Sequence, residues 1–179
     1  MTKLPFDEIT EMARASITEG SLEVMSNEEI EDEIEDLVIM AYTLGWGLFL
    51  TDYEVDTPLN QKLIYDALQT KLGGKTYKEY LEPHIEEKDI EGIYRVIDTT
   101  VHQMYVMAQE NCAHESGFKT KTWRTMEDEK VRDTHRYLEG VTVPIDEKFY
   151  TYDGDSAPCP SLFSLPENNC NCRCVLHYD

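Results

Sequence analysis

Residues 117–143 read GFKTKTWRTMEDEKVRDTHRYLEGVTV, and the texture of the chain changes there. Lys121-Thr122-Trp123-Arg124 has the aromatic and β-branched content of a short strand. Asp128 to Leu138 predicts a helical segment with Gly140 as its C-terminal stop, and Val141-Thr142-Val143 a second strand. Beyond it, residues 152–169 are rich in Gly, Pro, Ser, Asn and Asp and read as loop, and Cys172 to His177 as a last strand. Everything before Gly117 reads as helix. The expected class is therefore α+β, with a helical region over 1–116 followed by a small α+β module over 117–179.

The helical reading rests on caps and periodicity. Ser26 and Glu29 have capping-box spacing. Ile30, Ile34, Leu37, Ala41, Leu44 and Leu48 then recur at three- and four-residue steps, with Glu28, Glu31, Asp32 and Glu35 opposite. Acidic residues crowd the N-terminal end, where the helix dipole favours them. Thr57-Pro58 predicts the start of another helix through Leu59, Leu63 and Ala67, ended by Gly73-Gly74. Thr76 and Glu79 repeat the capping box, and Pro83 should end that helix. A long helix is expected from about Lys88 to His114, striped by Ile90, Ile93, Ile97, Val101, Met104 and Ala108 and closed by Gly117.

The chain has 179 residues, 41% of them hydrophobic, and a formal net charge of −20. That charge excludes a uniformly basic nucleic-acid surface and repels DNA and anionic membranes at long range. A local basic patch remains from Lys119, Lys121, Arg124, Lys130, Arg132 and Arg136. Met1 to Gly20 shows acidic residues and no apolar secretory core. The apolar run Leu37 to Leu50 is shorter than the about 20 residues a bilayer requires, so it fits a buried helix. Trp46 and Phe49 within it fit core, or a partner-binding helix face. No membrane association is expected.

Two clusters carry chemistry. Cys170, Cys172 and Cys174 alternate, so in a strand their thiols share one face, and His177 follows; Cys159 and His135 could fold toward them. Thiolates with imidazole are the usual ligands of zinc, although zinc sites more often use C-x-x-C spacing. Buried free thiols packing as small hydrophobes, or a redox pair, are the alternatives. The second cluster is Asp128, Arg132 and His135, spaced four and three apart. On a helix they would form either a hydrogen-bonded brace or an acid–base group in which His135 works with Asp128 or Asp133. Trp123 reads as core. There is no phosphate-cradling glycine loop, no H-E-x-x-H and no G-x-S-x-G.

In order, the chain presents a helix ending in Ala108-Gln109-Glu110-Asn111, then Gly117 and Lys121-Thr122-Trp123. Asp128, Val131-Arg132, His135, Leu138, Gly140 and Phe149 follow, and Asn171-Cys172-Arg173-Cys174 comes last. Over about Ala108–Leu176 this resembles the phage head morphogenesis family, the minor capsid proteins similar to the F protein of phage Mu. Many members carry Arg-Thr-Glu where this chain reads Ala108-Gln109-Glu110, so only Glu110 carries over. The resemblance implies a low-copy component of a tailed-phage head that associates with portal and capsid proteins during assembly and DNA packaging or delivery. It would reside in the virion, and in the host cytoplasm during assembly. DNA contact is disfavoured by charge. Glu110, Trp123, Asp128, Arg132, His135 and Gly140 would brace the module, and zinc, if bound, would sit on Cys170, Cys172, Cys174 and His177. Some relatives carry fused toxin domains; the chain ends at Asp179, so none is expected here. A packaged zinc-dependent enzyme or effector acting in the host is the alternative. A small acidic DNA mimic, resting on charge alone, is a third reading.

Overall fold

The computed structural model describes residues 4–179; residues 1–3, the start of the 1–116 region, lie outside them. Six helices come first: α1 (Asp7–Ser16), α2 (Glu19–Val24), α3 (Asn27–Asp52), α4 (Gln61–Leu68), α5 (Tyr77–Glu86) and α6 (Ile90–Glu115). The mixed part follows: β1 (Thr120–Arg124), α7 (Asp133–Arg136), β2 (Thr142–Pro144), β3 (Phe149–Tyr150), β4 (Ser156–Ala157), α8 (Pro166–Asn169) and β5 (Val175–Tyr178). The class is α+β, as the change of texture at Gly117 predicts.

Both anticipated capping boxes form. The Ser26 hydroxyl accepts from Glu29 N–H at 3.2 Å, and Glu29 accepts from Ser26 N–H at 2.7 Å. Thr76 and Glu79 repeat this at 3.3 and 2.7 Å. Helix α3 buries Ile30, Ile34, Leu37, Val38, Ala41, Tyr42, Trp46 and Phe49. It is long and apolar enough by composition to cross a membrane, but here it packs against α6, the broadest contact between two elements. The closeness of that packing depends on Gly45, where a Cβ would lie 2.4 Å from the Tyr105 carbonyl oxygen of α6. Each large apolar side chain fully withdrawn from water along this seam contributes about 1.5–3 kcal/mol.

Three boundaries within the 1–116 helical region differ from expectation. Helix α4 starts at Gln61, capped by the Asn60 side chain, rather than at Thr57-Pro58. Thr57 is engaged elsewhere: its carbonyl accepts from Trp46 Nε1 at 3.0 Å and its hydroxyl meets Ser116 Oγ at 2.6 Å. The helix ends at Leu68, and Gly73-Gly74 instead form the tip of a tight turn bridging Leu72 and Lys75, both at positive φ. Helix α5 continues through Pro83 to Glu86, because Leu81 and Ile85 on its inner face are buried and α5 packs on α6.

Strand β1 lies between β2 and β5, antiparallel to both. Lys121 stands opposite Tyr178, and Trp123 opposite Leu176. Side chains alternate across a strand, so Lys121, Trp123, Leu176 and Tyr178 share the buried face, while Thr122 and His177 point the other way. Strands β3 and β4 form a separate small ribbon. Buried apolar residues of the helices and of the mixed part belong to one continuous core. Helix α6 supplies residues to both, since the imidazole of His102 is fixed between Ser161 Oγ at 2.8 Å and the Cys174 carbonyl at 3.0 Å. A carbonyl only accepts, so Nε2 of His102 carries the proton and Nδ1 accepts from the serine.

Helix α7 is only a single turn, shorter than the predicted Asp128–Leu138. Lys130 N–H bonds the Asp128 carboxylate at 3.0 Å and Arg132 is extended, so the chain turns before it coils. Gly140, at positive φ, bends the chain back so that its N–H reaches the Trp123 carbonyl at 2.9 Å.

Candidate functional site

The residues singled out in sequence meet around α6, β1, α7 and β5. Glu110 of α6 and Lys121 of β1 form a buried ion pair, and Tyr178 Oη donates to the other Glu110 oxygen at 3.1 Å. Lys121 is wholly buried. Burial raises the Glu110 carboxyl above its ordinary value, and Lys121 opposes that rise. Two residues along β1, Trp123 packs edge-on against His135 at 5.4 Å between ring centroids and against Phe149 at 5.1 Å.

His135 is buried, and its Nδ1 lies 3.6 Å from Cys172 Sγ and 3.5 Å from Cys174 Sγ. The local chain explains the convergence. Asn171 adopts a left-handed conformation (φ 55°) after α8, and Cys172 to Cys174 then lead into β5. Both thiols are buried, while Arg173 between them reaches Asp128. Arg173 grips Asp128 with two nitrogens, at 2.8 and 2.9 Å. Burial raises both thiols, but hydrogen bonds from Cys174 and His135 bring Cys172 well below its usual range. Cys174 is raised instead, first by its contact with the Cys172 sulfur and then by burial. Trp123 Nε1, Arg132 Nη1 and His135 Nε2 are buried without a hydrogen-bond partner among the described residues. The Trp123 N–H nonetheless favours a charged Cys174 sulfur, which it faces outside strict hydrogen-bond geometry.

The other expected positions fall elsewhere. Cys170 is exposed, and its carbonyl accepts from Arg132. His177, three residues from Cys174 and so of opposite strand parity, stands on the outer face beside Tyr53, 3.1 Å from its hydroxyl. Cys159 is buried, and burial pushes its thiol up. Asp128 is turned to Arg173 rather than to His135, and Asp133 is exposed at the start of α7. Asp128, Arg132 and His135 therefore do not share a helix face, and each meets a different part of the one segment 170–174.

Sequence reasoning missed Asp155. This buried carboxylate accepts from Ser156 N–H, Ser164 N–H and Oγ, Leu165 N–H and the Asn168 amide, at 2.7–3.2 Å. Burial alone would raise its pKa, but those donors, Ser164 Oγ first, bring it down to about 2. It organises the 152–169 loop that carries α8 toward the cysteines. Its only signal was an acidic residue within a Gly/Ser/Pro-rich stretch, which matches many solvated loops.

Minor head protein GP7 of Bacillus phage SPP1 is 30% identical over 83 residues, covering 45% of this chain and 27% of that protein. NAD(+)--arginine ADP-ribosyltransferase EFV of Enterococcus faecalis is 41% identical over 55 residues, covering 31% of this chain and 11% of that protein. The chain thus spans only a minor part of the length of either relative. No solved structure matches. The family model described as Phage Mu protein F like protein matches residues 60–177, from just before α4 into β5, and so takes in every residue of the Glu110–Lys121 and His135–Cys172–Cys174 arrangement. With two thirds of its length inside that match, the chain belongs to the Phage Mu protein F like family.

Proposed function

We propose that this chain is a minor head component of a tailed phage that associates with the portal during head assembly and DNA packaging or delivery. The observation that carries the reading is the similarity to minor head protein GP7 over 45% of the chain, beside the family match over residues 60–177. In this reading the helical region over 1–116 offers the portal- or capsid-binding surface, and the 117–179 module is a braced unit attached to it through α6. The net charge of −20 disfavours bulk DNA binding and favours protein partners. The protein would be found in the phage head, and in the host cytoplasm during assembly. The transferase similarity covers 11% of that relative, too little to carry its activity to this chain.

Native mass spectrometry of the full chain mixed with the portal protein of the same phage tests the reading. A complex of fixed stoichiometry is expected. A chain that stays free at micromolar concentrations of both proteins, while correctly folded, overturns it.

A further inference from the structure

His135, Cys172 and Cys174 are buried, and their ligand atoms all lie within 4.8 Å of one another. Hydrogen bonding does not account well for this triangle. An imidazole Nδ1 has either one proton or one in-plane lone pair, so it satisfies one sulfur at a time. Here two sulfurs approach the same Nδ1, at 3.5 and 3.6 Å. A cation at the centre would satisfy all three atoms together. The dimensions agree: with Zn–S of about 2.3 Å and Zn–N of about 2.0–2.1 Å, tetrahedral geometry separates sulfur from nitrogen by about 3.5 Å.

The surroundings suit a metal–thiolate centre. Trp123 Nε1 and Arg132 Nη1 are buried donors with no partner among the described residues, and metal-bound sulfur is an acceptor. The Asp128–Arg173 pair and the Arg132 hydrogen bond to the Cys170 carbonyl fix the chain on both sides of Cys172. A hollow of about 20 Å³ bounded by Arg132, Asn171 and the three ligand residues adjoins the cluster. It has room for about one water molecule.

We propose that His135, Cys172 and Cys174 form a three-ligand site for one zinc-class divalent cation, with a water molecule from the adjoining hollow as the fourth ligand. The ion would tie α7 to the segment entering β5, so it would add to the brace that holds the module together. Cys170 and His177 take no part, because Cys170 is turned out to solvent and His177 stands on the opposite face of β5.

The test uses the full chain, purified anaerobically from cells grown with zinc and measured by native mass spectrometry and elemental analysis. One zinc per folded chain is expected. Replacement by Co(II) should give the intense visible bands of a tetrahedral ion and thiolate-to-cobalt charge transfer, a readout that needs no variant. Cys170→Ser and His177→Ala should keep one ion per chain, and Cys172→Ser with Cys174→Ser should hold none. A folded wild-type chain without metal overturns the proposal, as does a metal-free chain lighter by the two hydrogens of a Cys172–Cys174 disulfide. So does an octahedral, thiolate-free cobalt spectrum, or loss of the ion in Cys170→Ser or His177→Ala.

Discussion

Replacing Lys121 with Met tests how the α6–β1 junction is held. Met keeps most of the aliphatic length and removes the ammonium. Glu110, itself only 7% exposed, would keep Tyr178 Oη at 3.1 Å and lose its close cation, since His114 Nε2 is 3.6 Å away and needs a proton to help. Removing one partner of a buried pair costs about 3–5 kcal/mol, because the remaining charge is buried uncompensated. At about 2–4 °C per kcal/mol for a domain of this size, the melting temperature should drop by roughly 10 °C. The pH dependence adds a second constraint. Glu110 is raised in the folded state, so its favourable contribution is complete below the unfolded value, near about 4.3, and is lost as pH rises through the folded value. Without Lys121 that folded value climbs further, and each added unit costs about 1.4 kcal/mol at high pH. The deficit of Lys121→Met, read by urea denaturation, should thus be larger at pH 8 than at pH 5. The double variant with Glu110→Leu should recover most of it. A loss below about 1 kcal/mol at pH 8, or a double variant as unstable as the single, would mean that the Glu110–Lys121 pair does not hold the junction.

Gly45 and Gly47 sit two apart in α3 and should respond oppositely to alanine. Gly45→Ala meets the Tyr105 carbonyl and should cost about 1–3 kcal/mol or more, whereas Gly47→Ala meets nothing within 4 Å and should stabilise by about 0.5–1 kcal/mol, both measurable by thermal melts. Asp155, depressed to about 2, contributes stability that is present above the unfolded carboxylate value and lost as pH falls from about 4 toward 2. That segment of the acid titration should be worth about 2 kcal/mol in the wild type and be absent in Asp155→Asn. Equal acid slopes would show that the loop is held some other way. Trp123→Phe removes a buried N–H beside Cys174 and should weaken cobalt binding about tenfold while the far-ultraviolet circular dichroism stays unchanged.

Caps and periodicity fixed much of this protein locally. Ser26–Glu29 and Thr76–Glu79 start helices because the side chain satisfies backbone donors within three residues, which needs no tertiary context. The stripe from Ile30 through Ala41 is buried as its spacing predicts, and the long helix ending near Gly117 and the strand around Trp123 are legible from neighbours in sequence too. Where sequence and structure part, a distant group has intervened. Thr57 gave up its cap to Trp46 and Ser116, and Pro83 stayed helical because Leu81 and Ile85 are buried. The residue types of the site were visible in the sequence; their grouping was not. His177 is nearer Cys174 along the chain than His135 is, yet strand parity turns it to the opposite face. His135 reaches the sulfurs from 37 and 39 residues away, because α7 and the segment before β5 are packed on the same core. Hydrogen bonding and periodicity act within a turn or along a strand and can be read from neighbours in sequence. Contact across elements depends on how the core closes, and only the tertiary structure decides that.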